Sequence, residues 1–125
     1  MSGAVEHYQN KLKHETDAWD LNEMVRSQSH VVIVDARSRE SYENEHIPGA
    51  ISFPHRTMTA ESTQGFDRGA LYVTYCDGIG CNASTKGALR LVELGFQVKE
   101  LIGGIEWWKR DGYATKRKLY QPAHM

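Results

Sequence analysis

The 125-residue sequence has no long apolar run, no excess of either charge and only two cysteines. A membrane-spanning helix needs about 20 largely apolar residues, so we expect no membrane partner. Fifteen basic and sixteen acidic residues give a formal charge of −1, which gives no general attraction for nucleic acid. The first residues lack a basic segment followed by an apolar one, so no secretory signal is expected. We therefore predict a cytoplasmic protein.

The scarcity of cysteine restricts the kinds of site that the chain can form. Cys76 and Cys81 are its only cysteines, and no histidine lies between them. A zinc site usually needs a second pair of ligands at a suitable spacing, so no metal is predicted. Cytoplasmic thiols stay reduced unless they carry out redox or sulfur chemistry, which argues against a purely structural disulfide. No organic cofactor is predicted either.

The residues that are present favour one α/β domain. Apolar residues make up 40 % of the chain, which is enough for a core. The β-branched run Val31–Val34 predicts a strand covered on both faces. Further strands are predicted at residues 50–53, 71–75 and 97–101, and helices at residues 3–14, 17–27, 38–44, 83–94 and 105–110. This alternation predicts a mainly parallel sheet.

Polar and reactive side chains follow three of the predicted strands. Asp35 and Arg37 follow the first, His55 and Arg56 the second, and Cys76 the third. In parallel α/β sheets, ligands bind beyond the carboxyl ends of the strands. The sequence therefore predicts a functional site that brings these five residues to one edge of the sheet.

The loop after Cys76 has the composition of an anion-binding turn. Gly78 and Gly80 allow the backbone to curl with its N–H groups pointing inward, and a helix begins just beyond the loop. These donors and the positive end of the helix dipole stabilise an anion. A thiolate at Cys76 is then favoured over the thiol, as a cysteine nucleophile requires. Asp77 would oppose this if its carboxylate pointed inward, so we expect it to face solvent.

Three segments resemble the rhodanese-like sulfurtransferases. The strand, cysteine loop and helix at 71–94 look like the family's active site. "VDARSRESYENEHIPGAISFP" and "LIGGIEWWKRDGY" are similar to its N- and C-terminal signatures. Together they cover residues 17–114. The resemblance implies a three-layer fold, with helices on both faces of a mainly parallel sheet of four to five strands. Residues 1–16 are then an amphipathic helical extension, and 115–125 a C-terminal tail.

The resemblance also implies a reaction. The Cys76 thiolate attacks the outer sulfur of a small donor such as thiosulfate or a persulfide, which gives a Cys76 persulfide. A thiophilic acceptor (cyanide, a thiol or a carrier protein) then removes that sulfur. The persulfide would be held by the backbone of the loop residues Asp77, Gly78, Ile79, Gly80, Cys81 and Asn82.

One departure from the family affects the expected donor. Many catalytic members have an arginine five positions after the cysteine, where this chain has Cys81. A charge-assisted hydrogen bond contributes about 1.5–3 kcal/mol, so its loss predicts poor use of thiosulfate. A persulfide or protein donor is favoured instead. Arg56, beside His55, could supply the missing charge; the alternative, which the sequence favours, is that both are solvated loop residues.

The sequence alone leaves the roles of several residues near the predicted site open. Cys81 is either a small, partly buried first-turn residue or a resolving or regulatory thiol. Asp35 and Arg37 are implied to support the fold near the site, and His46 is interpreted as structural. Trp107 and Trp108 are adjacent, so only one of them can face the core, while the other could wall the pocket or an interface.

Further alternatives concern the overall function, the N-terminal helix and the C-terminal residues. The family also suggests a regulatory module that senses persulfide, oxidant or a partner. Cysteine phosphatases and arsenate reductases need a loop arginine, which is absent because positions 81 and 82 are Cys and Asn. The face formed by Val5, Tyr8 and Leu12 either packs on its own domain or forms a homodimer. The basic run at 116–118 is interpreted as part of a solvated tail.

Overall fold

The computed structural model describes residues 3–118, which form five helices and seven strands. The helices are α1 (Gly3–His14), α2 (Ala18–Arg26), α3 (Arg39–Asn44), α4 (Ala83–Glu93) and α5 (Gly104–Arg110). The strands are β1 (Glu15–Thr16), β2 (Val31–Asp35), β3 (Glu45–His46), β4 (Ile51–Ser52), β5 (Leu71–Tyr75), β6 (Gln97–Leu101) and β7 (Lys116–Arg117). One turn of 3-10 helix spans His55–Thr57.

The central sheet has five parallel strands in the order β1-β6-β5-β2-β4. β2 pairs with β5 along its whole length, from Val31 opposite Leu71 to Asp35 opposite Tyr75. The predicted parallel sheet is therefore confirmed. The edge strand β1 was not predicted, because a two-residue strand carries no readable periodicity and depends on pairing with β6.

Two apolar clusters, one on each face of the sheet, make the fold three-layered. Alternate strand residues supply opposite faces, so Ile33 and Val73 enter one cluster while Val34 and Tyr72 enter the other. The first cluster, which also receives α2 and α5, contains Ala18, Leu21, Ile33, Ile47, Ala50, Val73, Tyr75, Leu101, Ile105 and Trp108. The second, which receives α4, contains Val34, Phe53, Met58, Ala70, Tyr72, Leu91, Phe96 and Val98. The predicted layering is confirmed.

Local signals placed the helix ends correctly. The Asp17 side chain accepts the Asp20 N–H at 2.8 Å and begins α2, as an N-cap residue should. The Ser38 hydroxyl accepts the Ser41 N–H at 3.2 Å and begins α3. Beyond α4, Gly95 has a φ of 96°, the left-handed conformation that commonly ends a helix.

The basic run at 116–118 is not merely a solvated tail, which corrects the sequence interpretation. Lys116 and Arg117 form β7, which pairs antiparallel with β3 so that Arg117 lies opposite Glu45. The Glu45 carboxylate accepts hydrogen bonds from Thr115 at 2.6 Å and Lys109 at 2.9 Å. Partial burial acts to raise the pKa of Glu45, but these two bonds and the neighbouring positive charges outweigh it and lower the pKa. The rest of the predicted tail, 119–125, lies outside the described residues.

The N-terminal helix contributes nothing to either core cluster. No residue of α1 is buried, and Val5, Tyr8 and Leu12 are 60 %, 62 % and 76 % exposed. The apolar face therefore does not pack on its own domain, and a homodimer through this helix stays a prediction. Within residues 3–118, no helix combines the length and the hydrophobicity needed to cross a membrane.

Candidate active site

Cys76 lies directly after β5, and its side chain is buried, with 2 % of the residue exposed. The start of α5 anchors the backbone here. The Ile105 N–H donates to the Cys76 carbonyl at 3.0 Å, and the Glu106 N–H donates to the Asp77 carbonyl at 2.9 Å. Gly104 has a φ of 60°, and a Cβ at that position would lie 2.3 Å from the Cys76 carbonyl oxygen. The glycine is therefore required for the close contact that positions the cysteine.

We expect Gly104→Ala to lower the free energy of unfolding by about 2–5 kcal/mol, measured by urea denaturation. About 1–2 kcal/mol comes from the left-handed conformation and about 1–3 kcal/mol from overpacking against Cys76. Gly112→Ala is the matched control, because Gly112 has a φ of 91° and a Cβ at that position would meet no atom within 4 Å. Equal losses in the two variants would contradict the role assigned to the Gly104 contact.

The loop forms a tight turn closed by a Cys76–Cys81 disulfide. The two Cα atoms are 6.1 Å apart, and the Cys81 N–H donates to the Gly78 carbonyl at 3.3 Å. Cys81 is partly buried, as one of its two predicted alternatives has it, but it precedes α4 and the N-cap residue Asn82 rather than lying in the first helical turn. The role of Cys81 as a resolving or regulatory thiol stays a prediction.

The same loop supplies unused hydrogen-bond donors. Within residues 3–118, the backbone N–H groups at positions 77–80 and 82 have no protein acceptor. They lie immediately before the N-terminal end of α4, where a helix carries a partial positive charge. The predicted supply of donors for an anion is therefore available, while the Cys81 N–H is occupied by Gly78.

A cavity of about 600 Å³ opens above the cysteine pair. It brings together most of the side chains that the sequence placed beyond the strand ends. These are Arg37, His55, Arg56, Cys76, Asp77 and Cys81. Asp35 is fully buried behind Arg37. Arg39, which the sequence analysis missed, also lines the cavity, and its Nε lies 3.4 Å from Glu43. Arg39 could have been predicted to line the cavity, because it follows directly after Ser38, the cap residue that begins α3.

Asp35 and Arg37 form a buried pair beneath this cavity. Arg37 Nη2 donates to Asp35 Oδ2 at 2.7 Å, and Arg37 Nη1 reaches Asp77 Oδ1 at 3.1 Å. The Asp77 side chain is 69 % exposed, as predicted. Burial acts to lower the pKa of Arg37, but its bonds to Asp35 and Asp77 outweigh this and raise the pKa above its ordinary value. Arg37 is therefore a permanent cation whose charge is largely neutralised.

Tyr75 completes this support, although the sequence analysis did not single it out. Its hydroxyl donates to Asp35 Oδ2 at 2.7 Å and accepts the Ile47 N–H at 3.1 Å. Burial and the negative charge of Asp35 raise the pKa of Tyr75 well above its usual range, so the hydroxyl stays protonated. This role could have been predicted from the position of Tyr75 at the end of a buried strand, because a buried tyrosine hydroxyl needs a polar partner.

Arg56 is the cation of the cavity with the fewest competing contacts. It is exposed and forms no ion pair with any residue in the described part of the chain. Burial, followed by the charges of Lys86, Arg56 and Arg90, lowers the pKa of His55. At neutral pH the imidazole is therefore uncharged, and Arg56 supplies the positive charge on this side.

A second cavity, of about 300 Å³, lies against the other side of the loop. Its wall includes residues 78–82 of the loop, together with Glu100. The hydroxyls of Ser84 and Thr85 donate to Glu100 Oε2 at 2.8 and 2.6 Å. Cys81 lines both cavities. This second cavity was not predicted from the sequence, because its walls come from β1, β6, α4 and the loop.

One of the two adjacent tryptophans faces the core, as predicted. Trp108 is 4 % exposed and its indole N–H donates to the Ala114 carbonyl at 2.9 Å. Trp107 is 38 % exposed and lines a small apolar hollow with Ile79 and Ile102. His46 stacks on Tyr42 with ring centroids 3.9 Å apart, which is consistent with a structural role.

Cys76, Asp77 and Cys81 are the group within residues 3–118 that could hold a metal ion, since their ligand atoms lie within 4.8 Å of one another. Thiolates bind soft metals, but both sulfurs are bonded to each other in the disulfide. Only the reduced loop would offer such ligands. The absence of a metal stays a prediction.

Comparisons with known proteins agree with this geometry. The family model for the rhodanese-like domain matches residues 17–111. The thiosulfate sulfurtransferase GlpE of Coxiella burnetii is 39 % identical over 97 residues, which cover 74 % of this chain and 81 % of that protein. The crystal structure of the BH2092 protein of Bacillus halodurans is 39 % identical, with a TM-score of 0.88 over 93 % of this chain and 85 % of that one. The HTH-type transcriptional regulator Rv0324 of Mycobacterium tuberculosis is 33 % identical over 90 residues, which cover 70 % of this chain and 38 % of the regulator.

Proposed function

The chain belongs to the rhodanese-like family, and from this premise we propose that it is a sulfurtransferase that carries sulfane sulfur as a persulfide on Cys76. The observation that carries the proposal is the placement of Cys76. It lies at the carboxyl end of a central strand, below a cavity and beside a loop whose N–H groups, except that of Cys81, have no other acceptor within residues 3–118. Such donors stabilise both a thiolate and the anionic persulfide that replaces it.

The chemistry starts from the reduced cysteine. The Cys76 thiolate attacks the outer sulfur of the donor, and a new S–S bond forms as the donor's own S–S or S–sulfonate bond breaks. The leaving group departs with the electron pair, as sulfite from thiosulfate or as a thiolate from a persulfide. A thiophilic acceptor then takes the outer sulfur and returns Cys76 to its thiolate. This cycle needs a compartment that keeps thiols reduced, so we propose a cytoplasmic setting.

The charges around the cavity favour a persulfide or protein donor over thiosulfate. Thiosulfate carries two negative charges, and the loop has no cationic side chain to bind them. The Arg37 guanidinium is already bound to Asp35 and Asp77. Arg56 is available but exposed, where an ion pair contributes at most about 1 kcal/mol. A donor that carries less charge depends less on such contacts.

Intact-mass spectrometry of the reduced protein tests the proposal. After brief exposure to one equivalent of glutathione persulfide, we expect a gain of one sulfur, located on Cys76 by peptide mapping. Thiosulfate at the same concentration should give a smaller gain. A protein that takes up no sulfur from either donor or from inorganic polysulfide would refute sulfur transfer. An equal gain from both donors would refute the donor preference alone.

Arg56→Ala tests the source of positive charge in the cavity. We expect sulfur uptake from thiosulfate to fall about 3- to 5-fold, the equivalent of an exposed ion pair of up to about 1 kcal/mol. Uptake from glutathione persulfide should fall less. The measurement is the rate of mass gain in single-turnover experiments. Arg26→Ala is the matched control, since Arg26 ends α2 and is exposed and paired with Glu23. Unchanged rates for both donors would remove Arg56 from the site.

A regulatory module is the second candidate, and two observations favour it. A domain similar to this chain is found within the HTH-type transcriptional regulator Rv0324, and the cysteine pair forms a disulfide. A regulatory module would be modified reversibly at Cys76 without catalysing turnover. Multiple-turnover assays with a persulfide donor and an excess of cyanide distinguish the two, because only a sulfurtransferase forms many equivalents of thiocyanate.

A phosphatase is disfavoured by the lack of a loop arginine, and a generic aryl phosphate should not be hydrolysed.

A further inference from the structure

Cys81 is bonded to Cys76, but the sulfur-carrier cycle gives Cys81 no step of its own. We propose that Cys81 is a second catalytic thiol that resolves the Cys76 persulfide, releasing hydrosulfide and leaving the Cys76–Cys81 disulfide. This inference rests on the proposed function, because it requires a persulfide on Cys76. It assigns to the protein a reductive product, hydrosulfide, in addition to transferred sulfane sulfur.

The geometry of the loop supports the step. The two sulfurs are bonded in the structure, and their Cα atoms are 6.1 Å apart, within the usual range for disulfides of about 4.4–6.8 Å. The turn is fixed by the hydrogen bond from the Cys81 N–H to the Gly78 carbonyl. The loop that binds a persulfide therefore already has a backbone conformation in which Cys81 reaches the inner sulfur.

The step is balanced as an intramolecular thiol–disulfide exchange. The Cys81 thiolate attacks Cys76 Sγ, and a bond forms between the two cysteine sulfurs. The bond from Cys76 Sγ to the outer sulfur breaks, and the outer sulfur leaves with the electron pair. It takes up the proton that the Cys81 thiol gives up on forming the thiolate, and so departs as hydrosulfide. The sulfane sulfur is reduced by two electrons, and the two cysteine sulfurs together are oxidised by two.

The replacement of the loop arginine explains why this reaction suits this chain. At position 81, where many family members have an arginine, the loop has a second nucleophile. No cation in the loop then favours the persulfide over its products. An attacking group held in the same short loop also has an effective concentration far above that of free thiols. Both effects favour resolution by Cys81 over a long-lived persulfide.

Regeneration requires two equivalents of a small thiol, such as glutathione, and accessibility indicates which sulfur it attacks. Cys76 is 2 % exposed, whereas Cys81 is half-buried and lines both cavities. The first thiol therefore forms a mixed disulfide with Cys81, and Cys76 leaves as the thiolate that the loop N–H groups stabilise. A better-stabilised leaving thiolate speeds such an exchange. A second thiol then attacks the mixed disulfide and releases Cys81.

The test follows one turnover of the reduced full-length protein with one equivalent of glutathione persulfide. In the wild type we expect a transient gain of one sulfur, then loss of two hydrogens relative to the reduced protein, together with about one equivalent of hydrosulfide. In Cys81→Ser the one-sulfur adduct should persist at least about 10-fold longer, since the intramolecular attack is lost. Cys81→Ala should match Cys81→Ser, because both lack the thiol although only serine keeps the size.

The outcomes separate this inference from the proposed function. If neither the wild type nor Cys81→Ser gains sulfur, the proposed function fails and the resolving role fails with it. If both gain sulfur and lose it at the same slow rate, the carrier function holds and the resolving role is overturned. A second measurement traps oxidised protein with glutathione and an alkylating agent. Glutathione on Cys81 with an alkylated Cys76 supports the proposed attack, and the reverse pattern overturns it.

Discussion

Cys76→Ser is expected to lower kcat/KM for sulfur transfer from glutathione persulfide to cyanide by roughly 10³-fold or more, as loss of a covalent nucleophile does. Serine keeps the shape of the side chain, but its hydroxyl is not ionised at neutral pH and cannot form a persulfide. Every step of the proposed cycle passes through the Cys76 sulfur, so no other group can replace it. The measurement is steady-state formation of thiocyanate.

Two controls make the loss interpretable. Urea denaturation of the wild type and Cys76→Ser, both in the presence of reductant, checks that the variant is folded without any contribution from the disulfide. Arg26→Ala, at the end of α2, should transfer sulfur at the wild-type rate. This control checks that neither the preparation of a variant nor the decay of the persulfide donor lowers the measured rate. A folded serine variant that kept a tenth of the wild-type kcat/KM would show that Cys76 is not the sulfur carrier.

The second large effect is on stability. Asp35→Asn is expected to lower the free energy of unfolding by about 3–5 kcal/mol, the cost of leaving one partner of a buried ion pair uncompensated. Asp35 is fully buried and accepts hydrogen bonds from the Arg37 guanidinium, the Arg37 N–H and the Tyr75 hydroxyl. An asparagine has the same size but no charge, so the buried arginine would keep only the exposed Asp77 carboxylate as a counterion. Urea denaturation measures the change.

An exposed pair provides the control for this prediction. Glu23→Gln removes the acid that lies 3.6 Å from Arg26 on the surface of α2, and such pairs contribute less than about 1 kcal/mol. If Asp35→Asn does not fold, Tyr75→Phe provides a milder test. It removes the hydroxyl that donates to Asp35 and accepts the Ile47 N–H, at an expected cost of about 1–3 kcal/mol. Values for Asp35→Asn and Glu23→Gln within about 1 kcal/mol of each other would contradict the buried-pair interpretation.

Local sequence signals determined most of the fold. The β-branched run Val31–Val34 already indicates a strand covered on both faces, whatever lies beside it. Asp17 begins α2 and Gly95 follows α4 because a cap satisfies the backbone of its own helix end. The alternation of these elements determines a parallel sheet, and that topology places residues following different strands at one edge. His55, Arg56 and Cys76 could therefore be predicted to meet without a structure.

The contacts that refine the site could be found only from the tertiary structure. The pairing of β3 with β7 and the position of Gly104 against the Cys76 carbonyl join segments that carry no signal for each other in the sequence. The spacing of Cys76 and Cys81 allowed a disulfide, a carrier with an inert neighbour or a pair of metal ligands. Only the tertiary structure shows that the turn through Gly78 brings the two sulfurs together in a disulfide. A strand or a helix cap depends on neighbours within a few residues, whereas distances across a loop or between layers depend on how the whole chain packs.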